Sequence, residues 1–307
     1  MRVGDGVERE LRPAQRELRA DNDNRGQERT MTIKVERVHD ISVADLRSGY
    51  AEPGRPVIIS GCIEHWPARK KWSLDYFADH FGDKSLDFSD KTWKLRDFVA
   101  DLRSGTKPAP YLNQVKLDEQ FQELFADIGD LKYTRSNALN SRFLPNSMRI
   151  DRGIKALFMG GAGSGFGKLH WDYSYLHVYI SQVRGPKDFL IFSPDDSPFL
   201  YPKPDYPADS MVKDFNNFDI EQYPDVKKAT PIRFTVNEGE TVFIPAGWWH
   251  ATQMRELSIS LAESALDRGN WKIRKDWYLS EYHKSSVSKT KLSALRLYMD
   301  TLGLFVS

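Results

Sequence analysis

Two short segments of this 307-residue chain carry side chains suited to metal chemistry. One reads Lys168-Leu169-His170-Trp171-Asp172. The other reads Phe243-Ile244-Pro245-Ala246-Gly247-Trp248-Trp249-His250. Together they offer two imidazoles and one carboxylate, the ligand set of a mononuclear non-haem iron centre. Residues two apart on a strand face the same way, so His170 and Asp172 can both aim at one ion. The third ligand must then arrive on a second strand, and the run ending at His250 is suited to be one. A lone His-X-Asp is more often a surface pair or a satisfied core histidine, and a lone Trp-Trp-His is mostly core packing. The three together, in this order on short strands, are far more specific.

A lysine adds to the pattern. Lys187 opens the run Lys187-Asp188-Phe189-Leu190-Ile191-Phe192, and alternation puts it on the same face as Phe189 and Ile191. An inward lysine needs an anionic partner, and a dicarboxylate would supply one. The glycine-rich run from Gly160 to Gly167 is not a phosphate loop. Ala162 stands where the Walker pattern needs glycine, and Leu169 where it needs Ser or Thr. The run reads instead as a flexible loop leading into the segment of His170.

These side chains need a scaffold of strands. From about residue 150 the chain is β-prone in short runs: 156–159, 176–183, 188–192, 232–236, 241–244 and 257–261. Asn237-Glu238-Gly239-Glu240 is a turn between two of them. The stretch from Ser193 to Pro231 is proline-rich and reads as loop. Many short antiparallel strands imply a sandwich or barrel. Before it lie a buried-strand pattern at Pro56–Ser60 and short helices. One is capped by Ser42 and ends near Gly49; another runs between Ser73 and Gly82; a third spans Lys94 to Leu102 and is closed by Gly105; a fourth spans Asp118 to Phe125. After it come amphipathic helices around 271–283 and 288–304.

Net charge is +1, which argues against a general polyanion binder, so no nucleic-acid partner is expected. Cys62 is the only cysteine, which excludes an intrachain disulfide and a thiolate zinc cluster and suits a reducing cytosol. No apolar run approaches the roughly 18 residues that span a bilayer, so no membrane partner is expected. Residues 1–30 are rich in Arg, Glu, Asp and Asn and read as a disordered extension. Met31, just before the first alternating segment, is an alternative start.

Several segments resemble the JmjC-type, cupin-like Fe(II)- and 2-oxoglutarate-dependent oxygenases, close to their asparaginyl-hydroxylase-like branch. Pro56-Val57-Ile58-Ile59-Ser60-Gly61, His65-Trp66-Pro67-Ala68 and Trp72-Ser73-Leu74-Asp75-Tyr76-Phe77 are similar to the family's N-terminal signature. Tyr111-Leu112-Asn113-Gln114 resembles the strand carrying its cosubstrate tyrosine. His170-Trp171-Asp172, Gly185-Pro186-Lys187 and the run ending at His250 resemble its core. The resemblance covers roughly Val35 to Glu263.

The resemblance implies a mainly β fold with flanking α: a double-stranded β-helix (cupin, jelly-roll) core with N-terminal α/β elements and C-terminal helices. The domain would span 31–265, with a helical segment at 266–307. His170, Asp172 and His250 would bind Fe(II). Lys187 and Tyr111 would hold the distal carboxylate of 2-oxoglutarate, with Gln114 nearby. Hydroxylation of a C–H bond of a protein, peptide or small molecule would follow, coupled to decarboxylation of 2-oxoglutarate. N-methyl demethylation by the same chemistry is the alternative, and a cupin metalloenzyme or binding module that does not use 2-oxoglutarate is the other. The apolar 288–304 helix would pack either on the chain's own core or, as the resemblance to oxygenases that often dimerise through C-terminal helices implies, against its mate in a homodimer.

The sequence departs from the family pattern at three places. Gly167 stands where Thr or Ser is usual before the first ligand, and Asn is missing at Val178 or Ile180 and near Ala262. Ser164, Lys168, Gln114 or His177 would have to substitute, although the parity of His177 opposes that of His170 and Asp172.

Overall fold

The structure is a computed structural model, and it describes residues 34–88, 91–105, 107, 109–149, 154–214, 219–284 and 288–306. The extension expected at 1–30 lies outside the described residues. Residues Lys34–Ser307 form one compact unit.

Twelve strands are described: β1 (Glu36–His39), β2 (Val57–Ser60), β3 (Ser85–Phe88), β4 (Lys91–Lys94), β5 (Tyr111–Lys116), β6 (Lys155–Gly160), β7 (His177–Arg184), β8 (Lys187–Phe192), β9 (Ile232–Val236), β10 (Thr241–Ile244), β11 (Trp249–Gln253) and β12 (Ser258–Ala265). Seven of them make one sheet in the order β1-β2-β10-β7-β12-β6-β5, and three make a second in the order β11-β8-β9. Strands β3 and β4 form a separate hairpin. Only β1 and β2 pair parallel; the other pairings among the described strands are antiparallel.

The two larger sheets face each other, and alternation along the strands explains why. Val178 and Ile180 of β7, Phe189 and Ile191 of β8, Ile232 and Val236 of β9, and Val242 and Ile244 of β10 meet in one buried cluster. Each pair is two or four residues apart and so shares a face. The opposite face of the large sheet carries Tyr179, Val183, Phe243, Ile259 and Leu261, which pack under the N-terminal helices. A sheet buried on both sides gives runs such as β7, where seven of eight residues are buried. This is the jelly-roll core expected, and each strand expected after residue 150 is present with its bounds displaced by four residues at most.

Four helices of two turns or more flank it: α1 (Leu74–Phe81), α2 (Leu95–Ser104), α3 (Arg268–Lys284) and α4 (Lys289–Gly303). Ser42, Ser73 and Ser288 each accept a backbone N–H in the first turn of the helix that follows, as N-caps do. Gly105 closes α2 at φ +71°, the left-handed conformation glycine adopts freely. Gly82 differs from expectation, because its φ of −54° is right-handed and it does not turn the chain out of α1 in that way. The helix expected over 118–125 is broken into one α-turn, Leu117–Gln120, and a 3-10 turn, Gln122–Ala126. Phe121, fully buried between them, takes a non-helical conformation.

The segment from Leu266 onward packs on the body of the protein through Leu266, Trp271, Tyr278 and Met299, against Leu139, Leu144, Met148 and Leu176.

Candidate metal and cosubstrate site

Strand β11 places two polar side chains inside the barrel. Trp249 and Ala251 point to the outer apolar cluster, so His250 and Thr252 point the other way, into a cavity of about 400 Å³ between the sheets. His250 therefore sits near the start of a strand, not at its end as the sequence suggested. Its backbone exchanges both hydrogen bonds with His170, at 2.7 and 3.1 Å. His170 itself lies in no regular strand. It forms isolated bridges to His250 on one side and Asp209 on the other. Asp172 follows in a turn closed by the Tyr175 N–H on the Asp172 carbonyl at 2.8 Å. The two-residue strand spacing expected for His170 and Asp172 is thus only half realised.

The ligand atoms nevertheless converge. Donor atoms of His170, Asp172 and His250 all lie within 4.8 Å of one another. Each imidazole gives its Nδ1–H to a backbone carbonyl two residues earlier, His170 to Lys168 at 3.0 Å and His250 to Trp248 at 3.1 Å. That assignment fixes the tautomer and frees both Nε2 lone pairs for an ion. Burial, and then the neighbouring His250, hold His170 well below the ordinary imidazole range, so it stays neutral and able to coordinate. Two imidazoles and one carboxylate lining one cavity fit a divalent metal with open positions.

The other end of the cavity collects donors. Lys187 is 2% exposed, directed inward as its alternation required, and donates to Ser260 Oγ. Its Nζ lies 5.2 Å from the centre of the Phe158 ring. Burial alone pulls its ammonium down to about 7. Tyr111, on β5, lines the same cavity and is hydrogen-bonded to Thr252; burial pushes its phenol up. Between the two ends the walls include Ala156, Val178, Ile180 and Ala262. A buried cation beside the Ser260 hydroxyl, in one apolar-walled cavity with the Tyr111 phenol and the metal triad, fits a short dicarboxylate.

The candidates to substitute for the missing Thr or Ser and Asn divide. Gln114 lines the cavity but is exposed, at φ +52° on the irregularity between Leu112 and Val115. Lys168 turns away to an ion pair with Asp209. Ser164 donates to the Gly161 carbonyl at 2.7 Å. His177 faces the opposite side of β7, as its parity indicated, where its ring meets Phe243. Two hydroxyls that do contact the Lys187 and Tyr111 side chains are Ser260 and Thr252, and sequence reasoning missed both. The signal for Thr252 was its place two residues after His250. For Ser260 it was a small polar residue alternating with Ile259 and Leu261 on a buried strand.

Thr252 also anchors the glycine-rich loop, accepting the Phe166 N–H at 3.2 Å. Gly165 passes so close that a Cβ there would lie 2.3 Å from the Thr252 carbonyl oxygen. The glycine serves this close approach to β11.

The mouth of the cavity is aromatic. Tyr173 packs against Tyr206 with ring centres 4.9 Å apart, and edge-on against Trp277 at 5.5 Å. Tyr206 comes from the 193–231 insert and Trp277 from α3. Tyr173 Oη donates to Glu281 Oε1 at 3.2 Å.

The profile of the Cupin-like domain matches residues 43–263. The chain belongs to the cupin-like (JmjC) domain family. Among its relatives, Arginine-specific demethylase JMJ22 of Arabidopsis thaliana is 31% identical over 77% of this chain and 47% of that protein. Lysine-specific demethylase 8 of Danio rerio is 29% identical over 75% of this chain and 58% of its own length. The human Bifunctional peptidase and (3S)-lysyl hydroxylase JMJD7 is 26% identical over 68% of this chain and 76% of its own. The chain spans about half the length of the first two. No helix among the described residues is long and apolar enough to cross a membrane.

Proposed function

We propose that this JmjC oxygenase is an Fe(II)- and 2-oxoglutarate-dependent hydroxylase of a basic side chain in a protein or peptide. One observation carries the reading. The His170, Asp172 and His250 donors converge within 4.8 Å on a cavity that also holds the buried cation Lys187. Fe(II) bound there with 2-oxoglutarate and dioxygen supplies decarboxylation of the oxo acid to succinate and hydroxylation of a C–H bond.

The chain's own residues orient the reactants. His170, Asp172 and His250 would hold the metal. Lys187 and Tyr111 bind the distal carboxylate, and Thr252 orients the Tyr111 hydroxyl. Val178, Ile180 and Ala262 leave the cosubstrate chain in apolar surroundings, where the Lys187 charge acts at full strength. Tyr173, Tyr206 and Trp277 flank the entrance with Glu281 behind them, an arrangement that favours a cationic substrate side chain. The relatives named for arginine and lysine chemistry support the same substrate class.

The test is succinate formation from 2-oxoglutarate by Fe(II)-loaded protein against lysine, arginine and N-methylated peptides. The proposal expects succinate with a hydroxylated peptide. Equimolar formaldehyde from a methylated peptide would instead establish the demethylase reading, which the names of two relatives favour. Stimulation only by small metabolites would overturn the peptide substrate.

We place the protein in the cytoplasm on its single, buried, free cysteine. Helix α4 packs inward through Leu295, Met299 and Leu302, but Leu297 on it and Leu304 and Phe305 just after it are between 70% and 81% exposed. A homodimer covering this patch is proposed. A monomeric mass by light scattering at micromolar concentration would overturn it.

A further inference from the structure

The start of helix α3 fastens two of the three proposed ligand segments without touching a ligand. Asp267, just before the helix, lies 3.4 Å from His177 Nε2, within ion-pair range but outside hydrogen-bond geometry. His177 is 2% exposed, and its Nδ1 accepts the Ala246 N–H at 3.0 Å. Ala246 is in the turn that delivers His250. One turn into the helix, Asn270 Nδ2 donates to the Tyr175 carbonyl at 3.1 Å. One turn further, Arg274 Nη1 donates to the Ser174 carbonyl at 2.7 Å. These two carbonyls lie in the loop that follows Asp172.

Two features mark these contacts as more than packing. Tyr175 holds φ +51°, a left-handed conformation unfavourable for a bulky residue, so the loop needs external restraint. Arg274 is 5% exposed, yet among the described residues it forms no ion pair. Its Nε is buried without a partner, and its guanidinium lies 4.5 Å from the Trp277 ring centre. Burial pulls that guanidinium down to about 10. An unpaired buried charge is costly, and here its donor is spent on a single loop carbonyl.

The geometry points to the 267–274 segment as a brace that sets metal affinity, with Arg274 positioning the Asp172 loop and His177 positioning the His250 turn. This rests on the metal-site reading above. Partners that hydrogen-bond a metal ligand directly are worth about tenfold to a hundredfold in metal affinity, and a brace one bond further out is expected at the low end of that range.

The test is Mn(II) titration of the full chain by electron paramagnetic resonance, with thermal unfolding of the metal-free protein. Arg274→Met keeps an unbranched stem against Trp277 but donates nothing to Ser174. The brace predicts a Mn(II) dissociation constant raised about tenfold or more, while the metal-free melting temperature is unchanged or higher. Arg274→Lys, which retains a donor, recovers part of the affinity. His177→Leu weakens Mn(II) binding in the same way, and His177→Asn, with an oxygen near the Nδ1 position, recovers it in part. Affinity within twofold of the parent in Arg274→Met overturns the inference. His170→Ala separates the two claims. If it binds Mn(II) as the parent does, the metal site itself is wrong. If it loses Mn(II) while Arg274→Met keeps full affinity, only the brace is wrong. Should Arg274→Met not fold, hydrogen exchange on the unmodified protein decides. Slower exchange over 268–278 on adding Mn(II) supports the brace, and unchanged exchange overturns it.

Discussion

The two ends of the cavity are built differently. At the cosubstrate end every side chain stands on a strand: Tyr111 on β5, Lys187 on β8, Thr252 on β11 and Ser260 on β12. Backbone ladders fix their positions, and no loop has to order. At the metal and substrate end, only His250 is on a strand. His170 hangs on isolated bridges, Asp172 lies in a turn, and Tyr206 and Trp277 arrive from an insert and a C-terminal helix. The strand-built end suits an invariant small ligand. The loop-built end suits a substrate that differs between relatives, because loops change without disturbing the ladders.

The comparison breaks first at the triad. His170→Ala and Asp172→Ala should each abolish stoichiometric binding of Fe(II), or of Mn(II) in its place, together with turnover. Retention of full metal and activity by the Asp172 variant, measured by equilibrium dialysis and succinate assay, would remove the loop-built ligand from the account. Next is Lys187→Ala. Losing the partner of a buried charge costs about 2–5 kcal/mol, so the apparent 2-oxoglutarate constant should rise at least thirtyfold while metal occupancy stays near that of the parent. Unchanged 2-oxoglutarate dependence would move the carboxylate anchor away from the strands.

A smaller effect follows from pH. Burial lowers the folded-state value of Lys187 to about 7, below its usual 10.5. Between these values the unfolded chain binds more protons than the folded one, so the stability cost of burying Lys187 is full below pH 7 and is relieved as pH rises toward 10.5. Binding of a dianion requires the charged form. Above pH 7 it should therefore take up a proton, and apparent 2-oxoglutarate affinity should fall with rising pH. Calorimetry in buffers of different ionisation enthalpy reads that uptake; no proton uptake at pH 8 would contradict it. The smallest effect belongs to Thr252→Val, which removes the hydrogen bonds of its hydroxyl to Tyr111 and to the Phe166 N–H, each worth about 1 kcal/mol. A severalfold rise in the 2-oxoglutarate constant is expected, and none would leave Thr252 only a structural anchor for the Phe166 loop.

The same division decides what could be read from the sequence. Lys187 was legible because period-2 alternation with Phe189 and Ile191 fixes its direction, and the same parity correctly turned His177 away. Residues 170 and 172 came together for a reason the spacing did not supply. The turn after His170, and not a continuous strand, swings Asp172 back beside it. Thr252 and Ser260 left only weak local signals, because their meaning depends on which strands face across the barrel, a long-range fact. Trp277 and Arg274 were hidden for the same reason, since a helix some hundred residues downstream reaches the Asp172 loop only through the tertiary fold. The helix expected over 118–125 failed locally, where burying Phe121 outweighed helix continuity.

The central claim is that one metal and one 2-oxo acid share this cavity. Anaerobic calorimetry of 2-oxoglutarate binding, with and without one equivalent of Mn(II), tests it most directly. The account predicts one Mn(II) per chain and 2-oxoglutarate binding that is strong only in the metal-loaded protein and weakened in Lys187→Ala. Equal 2-oxoglutarate affinity with and without metal, or no metal bound by the parent protein, would contradict it.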